Sequence, residues 1–398
     1  MGTSKVASLP LPDSDFYQIR AELSEAERQK LAEVRAFAEN KINPIINQHW
    51  MAGTFPFELV PEFAKLMIMG IGYEGFGCPG GSTLFAGALA MELARVDCSF
   101  ATFYGVHGGL AMGSIYLCGS KEQKEKWLPR MAKCEIIGSF ALTEPLVGSG
   151  TSGGLLTTAR RDGDKWVLNG EKKWIGNATH GDITVVWARD TADNQVKGFI
   201  VGNKTPGFTA EKIEHKMALR VVQNAHIILK DCIVSEADRL QEDKSFRDTA
   251  RVLRMTRAFV AWESLGCMMG AYENALAYAQ NRQQFGKPIG SFQLVQDLLV
   301  KMLGNITACQ TMCFRLSQLQ DSGNLKDEHA SLAKAFCTVK MRECVGWARE
   351  LLGANGILLD YNIGRFVADA EAIYSYEGTR EMQTLIVGKA ITGFGAFI

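Results

Sequence analysis

The chain has no Cys-x-x-Cys pair, and none of its ten cysteines stands near histidine at zinc-finger spacing. Neither a structural metal nor a disulfide framework is expected, and reduced, packed cysteines in a reducing compartment are the natural reading. A surplus of either charge is missing too, with 43 Lys plus Arg against 43 Asp plus Glu. There is then no bulk attraction for nucleic acid or an anionic membrane surface, and any anionic ligand must be held by local groups. No apolar run approaches the roughly 18 residues that cross a bilayer. The first 15 residues lack the basic and then apolar layout of a secretory signal, and Ala396-Phe397-Ile398 is not a peroxisomal tripeptide. The cytoplasm is the expected location, or an organelle matrix if the chain is eukaryotic and its targeting segment absent. Internal repeats and low-complexity segments are also lacking.

What is present suits a folded chain of more than one domain: 398 residues, 47% hydrophobic and 22% charged. From about Ser24 to Gly119 the pattern is helical. Ser24-Glu25-Ala26-Glu27 reads as a capping box, and the helix it starts is expected to end or kink at Asn43-Pro44. Phe55-Pro56-Phe57 and the glycines from Gly70 to Gly81 read as loops, and a charged helix from Lys121 should stop at Pro129. Between about Glu135 and Val234 the pattern turns to short strands. Asp162-Gly163 and Asn169-Gly170 predict two hairpin turns, and the whole predicts a small antiparallel β-domain. After Phe246 helix returns, with no proline beyond Pro288. Val295, Leu299, Met302, Ile306, Cys309, Cys313 and Leu316 recur in steps of four and three, laying one apolar stripe along a long helix. The expected divisions are 1–135 helical, 136–245 β and 246–398 helical.

One stretch carries a candidate reactive group. In Tyr374-Ser375-Tyr376-Glu377-Gly378-Thr379-Arg380, a carboxylate sits between an aromatic ring and a glycine after a long helical run. Lost hydration in an apolar cleft would raise its pKa and make Glu377 a general base; as a bare pattern it equally describes a helix stopped by glycine. Four further sequences stand in order before it: Ala141-Leu142-Thr143-Glu144-Pro145 with Gly148-Ser149-Gly150, Lys173-Trp174-Ile175-Gly176-Asn177, Arg282-Gln283-Gln284-Phe285-Gly286-Lys287-Pro288, and Leu351-Leu352-Gly353-Ala354-Asn355-Gly356. Each alone is an ordinary loop, strand tryptophan or inter-helix arginine.

Together, in this order and ending on Tyr376-Glu377-Gly378-Thr379, they resemble the acyl-CoA dehydrogenase and oxidase flavoproteins over nearly the whole chain. The resemblance implies an N-terminal helical domain, a middle β-domain and a C-terminal four-helix bundle, FAD as cofactor, an acyl-CoA substrate and a homotetramer, with no metal. It implies Leu142, Thr143, Ser149 and Trp174 lining the flavin and its phosphates. Arg282 and Phe285 would bind the FAD of a neighbouring subunit, Gly353 would approach it closely, and Thr379 would contact its adenosine half. Arg257 would help hold the CoA portion, with Ser149, Tyr376 and Gly378 also on the substrate. Glu377 would take the α-proton while hydride leaves to flavin N5, its own backbone N–H helping to hold the enolate oxygen.

The similarity is strongest to the plant-type short-chain acyl-CoA oxidase, in Gly77-Cys78-Pro79-Gly80, Val222-Gln223-Asn224 and Phe246-Arg247-Asp248-Thr249, and to the glutaryl-CoA dehydrogenase branch. The arginine that the latter aims at a distal carboxylate is replaced here by Ala101, after Arg95-Val96-Asp97, which implies a monocarboxylic acyl-CoA of short to medium chain. The electron acceptor, an electron-transferring flavoprotein or dioxygen, stays open. Gly176 stands where most relatives have a threonine reaching the flavin, Gly150 replaces an acidic residue, and Glu381 replaces a shorter or amide side chain. The loss at Gly150 keeps a second reading in play, a catalytically weak acyl-CoA-binding relative.

Overall fold

The Ser24 hydroxyl accepts from the N–H of Glu27 while the Glu27 carboxylate accepts from the N–H of Ser24, so the expected capping box opens helix α1 (Glu25–Phe37). The computed structural model describes residues 14–396. Helix α1 continues through a π-turn, Ala38–Ile42, into α2 (Asn43–Ala52). Pro44 neither ends nor breaks it, because it falls in the first turn of α2, where a missing N–H is tolerated. Helix α3 (Val60–Ala64) and the glycine-rich loop lead to α4 (Thr83–Val96), α5 (Cys98–Tyr104), a second π-turn at Gly105–Ala111, α6 (Met112–Cys118) and α7 (Lys121–Ala132). The helix expected to stop at Pro129 carries that proline inside its last turns and ends at Ala132.

The middle of the chain forms β1 (Gly138–Ala141), the short helix α8 (Thr151–Gly154), β2 (Thr158–Asp162), β3 (Lys165–Ile175), β4 (Ile183–Asp190), β5 (Val196–Gly202), β6 (Phe208–Lys212) and β7 (Ala225–Ser235). Their seven-stranded sheet is mixed, not antiparallel throughout as the hairpin signals predict, since β4 runs parallel to both β1 and β2. Those partners reach β4 through long connections instead of hairpins, and only β2–β3, β4–β5, β3–β7 and β6–β7 pair antiparallel. Asn169-Gly170 is not a turn either. It lies inside β3, where the register with β7 shifts between Leu168 and Gly170. At this bulge Gly170 has φ 143°, and a Cβ would come within 2.6 Å of the Thr157 backbone.

The C-terminal part holds α9 (Phe246–Asn281), a two-stranded hairpin of β8 (Gln283–Gln284) and β9 (Lys287–Pro288), then α10 (Gln293–Asp321), α11 (Asp327–Leu351), α12 (Ile363–Ser375) and α13 (Arg380–Thr392). On α10, Met302, Ile306, Cys309, Cys313 and Leu316 are buried as the spacing predicts, with Val295 and Leu299 half-buried at its start. Helix α9 packs against α10, α11 and α4, and α11 packs against α12 and α13. One apolar core therefore joins both helical parts and one face of the sheet, while a second, around Val186, Phe199, Val201, Ile227 and Leu229, fills the other face. The buried ring of His107 links the parts: Nε2 donates to the Met131 carbonyl, and Nδ1 accepts from the N–H of Gly138 at the start of β1. No helix among the described residues is long and apolar enough to cross a membrane.

Candidate active site

Helix α12 ends at Ser375, and the chain then turns through two consecutive left-handed residues, Glu377 (φ 54°) and Gly378 (φ 89°), before Thr379 caps α13 by accepting from the N–H of Met382. Glycine takes that conformation freely, whereas glutamate does so at a cost of about 1–3 kcal/mol. The turn is held from three helices. Lys334 of α11 donates to the carbonyls of Tyr374 and Gly378, at 2.9 and 2.7 Å. Gln383 of α13 donates to those of Glu377 and Gly378, both at 3.0 Å. From α9, the Thr256 hydroxyl donates to the Glu377 carboxylate at 2.9 Å. A Cβ on Gly378 would lie 2.5 Å from Gln383 Nε2 and displace the amide that holds the turn, so glycine suits this place beyond its φ.

The Glu377 carboxyl is desolvated, and burial raises its pKa; the Thr256 hydroxyl and the nearby Arg257 and Lys334 oppose the rise without cancelling it. Burial in turn lowers both cations, Lys334 to about 8. The backbone N–H of Glu377 donates to no protein acceptor among the described residues. Arg257 Nε is likewise buried without a partner. A proton acceptor with a free N–H on the same residue thus lies within electrostatic reach of a guanidinium that has an unpaired Nε donor. That set suits removal of a proton next to a carbonyl whose oxygen becomes negative.

The residues expected to line a flavin fall on the sheet domain. Leu142 and Thr143 directly follow β1, and Trp174 sits on β3 at a second register shift, with φ 66° and its indole 54% exposed. The connection between them is pinned by a buried ion pair. Lys172 donates to the Leu142 carbonyl and to Glu144, both at 2.9 Å, and Glu144 also accepts the N–H groups of Leu156 and Thr157. Ser149 stands exposed on that loop. Asn224 donates to the Trp174 carbonyl at 3.3 Å, fixing the strand end from the other side.

Arg282 and Phe285 do not join this group within one subunit. Arg282 follows the last residue of α9, roughly 40 Å along the helix from Thr256 at 1.5 Å per residue. Phe285 and Gly286 form the two-residue turn between β8 and β9, both left-handed, and the Phe285 ring is 91% exposed. Gly353 has φ 59° and open space where a Cβ would point, so its conformation, not crowding inside this subunit, asks for glycine. Trp174 and Phe285 thus leave large aromatic surfaces in solvent, and the backbone at Gly353 is open to approach. Among the described residues no cluster of potential metal ligands occurs.

Three family profiles match this chain in order: acyl-CoA dehydrogenase N-terminal domain at 24–135, middle domain at 139–232 and C-terminal domain at 246–392. The chain belongs to the acyl-CoA dehydrogenase family. Relatives in the family include an acyl-CoA dehydrogenase of Bacillus subtilis, 32% identical over 90% of this chain and 96% of its own length. The human mitochondrial short-chain specific acyl-CoA dehydrogenase is 33% identical over 92% and 90%. Among solved structures, a glutaryl-CoA dehydrogenase from Mycobacterium smegmatis superposes with TM-score 0.93 at 39% identity, covering 97% of this chain and 99% of that one. A structure of a glutaryl-CoA dehydrogenase from the same organism in complex with FADH2 gives 0.92 at 35% identity, covering 96% and 98%. The butyryl-CoA dehydrogenase of Megasphaera elsdenii gives 0.89 at 30%, covering 93% and 98%.

Against the family pattern the three departures now have surroundings. A Cβ on buried Gly176 would meet Val106 at 3.2 Å, so Val106 fills part of the space a larger residue would take. Gly150 has an ordinary φ and room for a side chain, so no steric demand accounts for it. Glu381 lies in the first turn of α13, where a carboxylate is favoured by the helix dipole, and pairs with Arg380. Sequence reasoning overlooked Thr256, Lys334, Gln383 and, beside them, Glu263. Lys334 and Glu263 did leave a signal, as single charges inside otherwise apolar helical runs, Ala333 to Cys337 and Phe259 to Met269.

Proposed function

We propose that the chain is an FAD-dependent enzyme that oxidises a monocarboxylic, short- to medium-chain acyl-CoA to the trans-2-enoyl-CoA, with Glu377 as the base for the α-proton. The observation that carries this reading is the desolvated Glu377 carboxylate in a tethered left-handed turn beside its own unpaired N–H. Desolvation makes the carboxylate a stronger proton acceptor, and Thr256 fixes where it points. The free N–H would receive the thioester oxygen as charge builds on it, and Arg257 would meet the CoA portion through its unpartnered donor. Leu142, Thr143, Ser149 and Trp174 would hold the flavin from the sheet side, Gly353 and Thr379 from the bundle, and Arg282 with Phe285 would reach it from a neighbouring subunit of a homotetramer. When bound, FAD supplies the hydride acceptor at N5.

Two features favour a substrate without a distal carboxylate. Ala101 offers no cation on α5, and the groups facing the adjacent Thr102 and Glu263, namely Tyr376, Cys98, Glu377 and Asp369, bring no positive charge to pair with a second carboxylate. Replacing Glu377 by Gln is expected to leave FAD bound and to abolish turnover of butyryl- and hexanoyl-CoA; retained turnover would overturn the assignment. The acceptor is an electron-transferring flavoprotein in the first reading. Gly176, which brings no hydroxyl, favours dioxygen as the alternative. Hydrogen peroxide formed at the rate of enoyl-CoA would establish the oxidase, and flavin bleaching without aerobic turnover the dehydrogenase. The weak-binding alternative, motivated by Gly150, predicts a protein that gains no flavin absorbance when FAD is added.

A further inference from the structure

Glu263 lies seven residues beyond Thr256 on α9, two turns along the same face, and is 1% exposed. Both of its oxygens are engaged. The Tyr376 hydroxyl donates to Oε2, and Thr102 Oγ1 lies 2.8 Å from Oε1. Thr102 Oγ1 also lies 2.8 Å from the Cys98 carbonyl one turn back on α5. A threonine hydroxyl has one hydrogen, and the carbonyl can only accept, so Thr102 cannot donate to both oxygens at once. If Glu263 carries the proton, every contact is satisfied: Tyr376 donates to Oε2, Oε1–H donates to Thr102, and Thr102 donates to Cys98. If Glu263 is ionised, one short contact is left without a hydrogen.

The surroundings favour the neutral form. Facing Glu263 are Tyr376 and Glu377 from the active stretch, Cys98 from α5 and Asp369 from α12, none of which brings a positive charge. Burial is the main reason its carboxyl is pushed up to about 7.

We propose that Glu263 is held as a neutral carboxylic acid in a Tyr376–Glu263–Thr102 hydrogen-bond chain, and that it is a positioning residue for the base. It anchors Tyr376 to α9 two turns from the point where Thr256 anchors Glu377, so one helix face sets both residues of the left-handed turn. In its neutral form it does so without placing a second negative charge beside Glu377. The inference rests on Glu377 being the base.

The test uses the FAD-loaded enzyme and follows exchange of the α-protons of butyryl-CoA in D2O, a step that needs the base alone. Tyr376→Phe and Glu263→Leu are each expected to slow exchange at least tenfold, with butyryl-CoA affinity and FAD content kept, and together to cost no more than either alone. Glu263→Gln can accept from Tyr376 and donate to Thr102, so it should rescue the rate to near that of the unmodified enzyme. In the apoprotein, deuterium uptake across residues 374–380 should rise in Tyr376→Phe and not in Glu263→Gln, and the infrared difference between Glu263→Gln and the parent should show a protonated carboxyl band. Exchange unchanged in Tyr376→Phe, which removes only one oxygen, would overturn the positioning role. A Gln variant as slow as the Leu variant, or no protonated band, would overturn the neutral acid. Exchange retained in Glu377→Gln would instead sink the reading on which the inference rests.

Discussion

At Glu377 two influences on one carboxyl pull in opposite directions. Burial disfavours the charge, and the hydroxyl of Thr256 favours it. Removing the hydroxyl leaves only Arg257 and Lys334 to oppose burial, so Thr256→Val should raise the Glu377 pKa further and move the acid limb of the rate profile to higher pH. A hydrogen bond to an ionised group contributes about 1.5–3 kcal/mol, so flavin reduction on the acid limb should slow by up to roughly ten- to hundredfold and recover in alkaline buffer. Stopped-flow measurement across pH checks it, and a profile that falls uniformly at all pH values would contradict it. The candidate base is legible in the sequence because it sits among a tyrosine, a glycine and a threonine at fixed order. Its supports are not. Thr256, Glu263 and Lys334 come from α9 and α11, brought to residue 377 only by the packing of the bundle, and no local pattern encodes that meeting.

At the scale of elements, the clearest joint is His107. It stands in the π-turn between α5 and α6 and uses both ring nitrogens, one on the end of α7 and one on the first residue of β1. Such a ring must stay neutral, since Nδ1 has to accept, and burial lowers its pKa from 6.5 to about 4. The folded state therefore binds this proton less readily than the unfolded chain. Its contribution is complete above about pH 6.5 and is lost progressively as pH falls towards 4, by about 3 kcal/mol in all. Urea titrations between pH 7 and pH 4 should show that slope, and His107→Asn, though less stable throughout, should lack it. Elements as a class were well marked in the sequence: the capping box, the α10 stripe and the switch from helix to strand are all local signals. The misreadings are local rules overridden by context. Pro44 and Pro129 are accommodated at helix ends, and Asn169-Gly170, a turn by composition, becomes a bulge because β3 continues along β7 on both sides of it.

For the whole molecule, α9 sets how far apart the candidate groups lie within one chain. Its 36 residues carry Thr256 and Glu263 within the first half and deliver Arg282 and the exposed Phe285 turn just beyond the far end. If those two serve the neighbour's cofactor, a Glu377→Gln chain and an Arg282→Glu, Phe285→Ala chain should complement each other. Co-expressed, they should give hybrids with activity well above that of either parent, because one subunit supplies the base and the other the arm. Hybrids as inactive as the parents would place Arg282 and Phe285 in service of their own subunit. This level is the least legible in the chain, since an apolar ring at a loop tip looks the same in sequence whether it meets solvent or another subunit.

The left-handed backbone at residue 377 also bears on how this protein can be altered. A protein engineer seeking to relieve unfavourable torsions would begin there, because glycine fits φ 54° without penalty and every tether to the Tyr374, Glu377 and Gly378 carbonyls would survive the change. With Glu377 as the proposed base, the relaxed chain would be sturdier and chemically silent. Thermal robustness and turnover are thus set against each other at a single codon, so a screen that rewards only heat resistance would discard the reaction first.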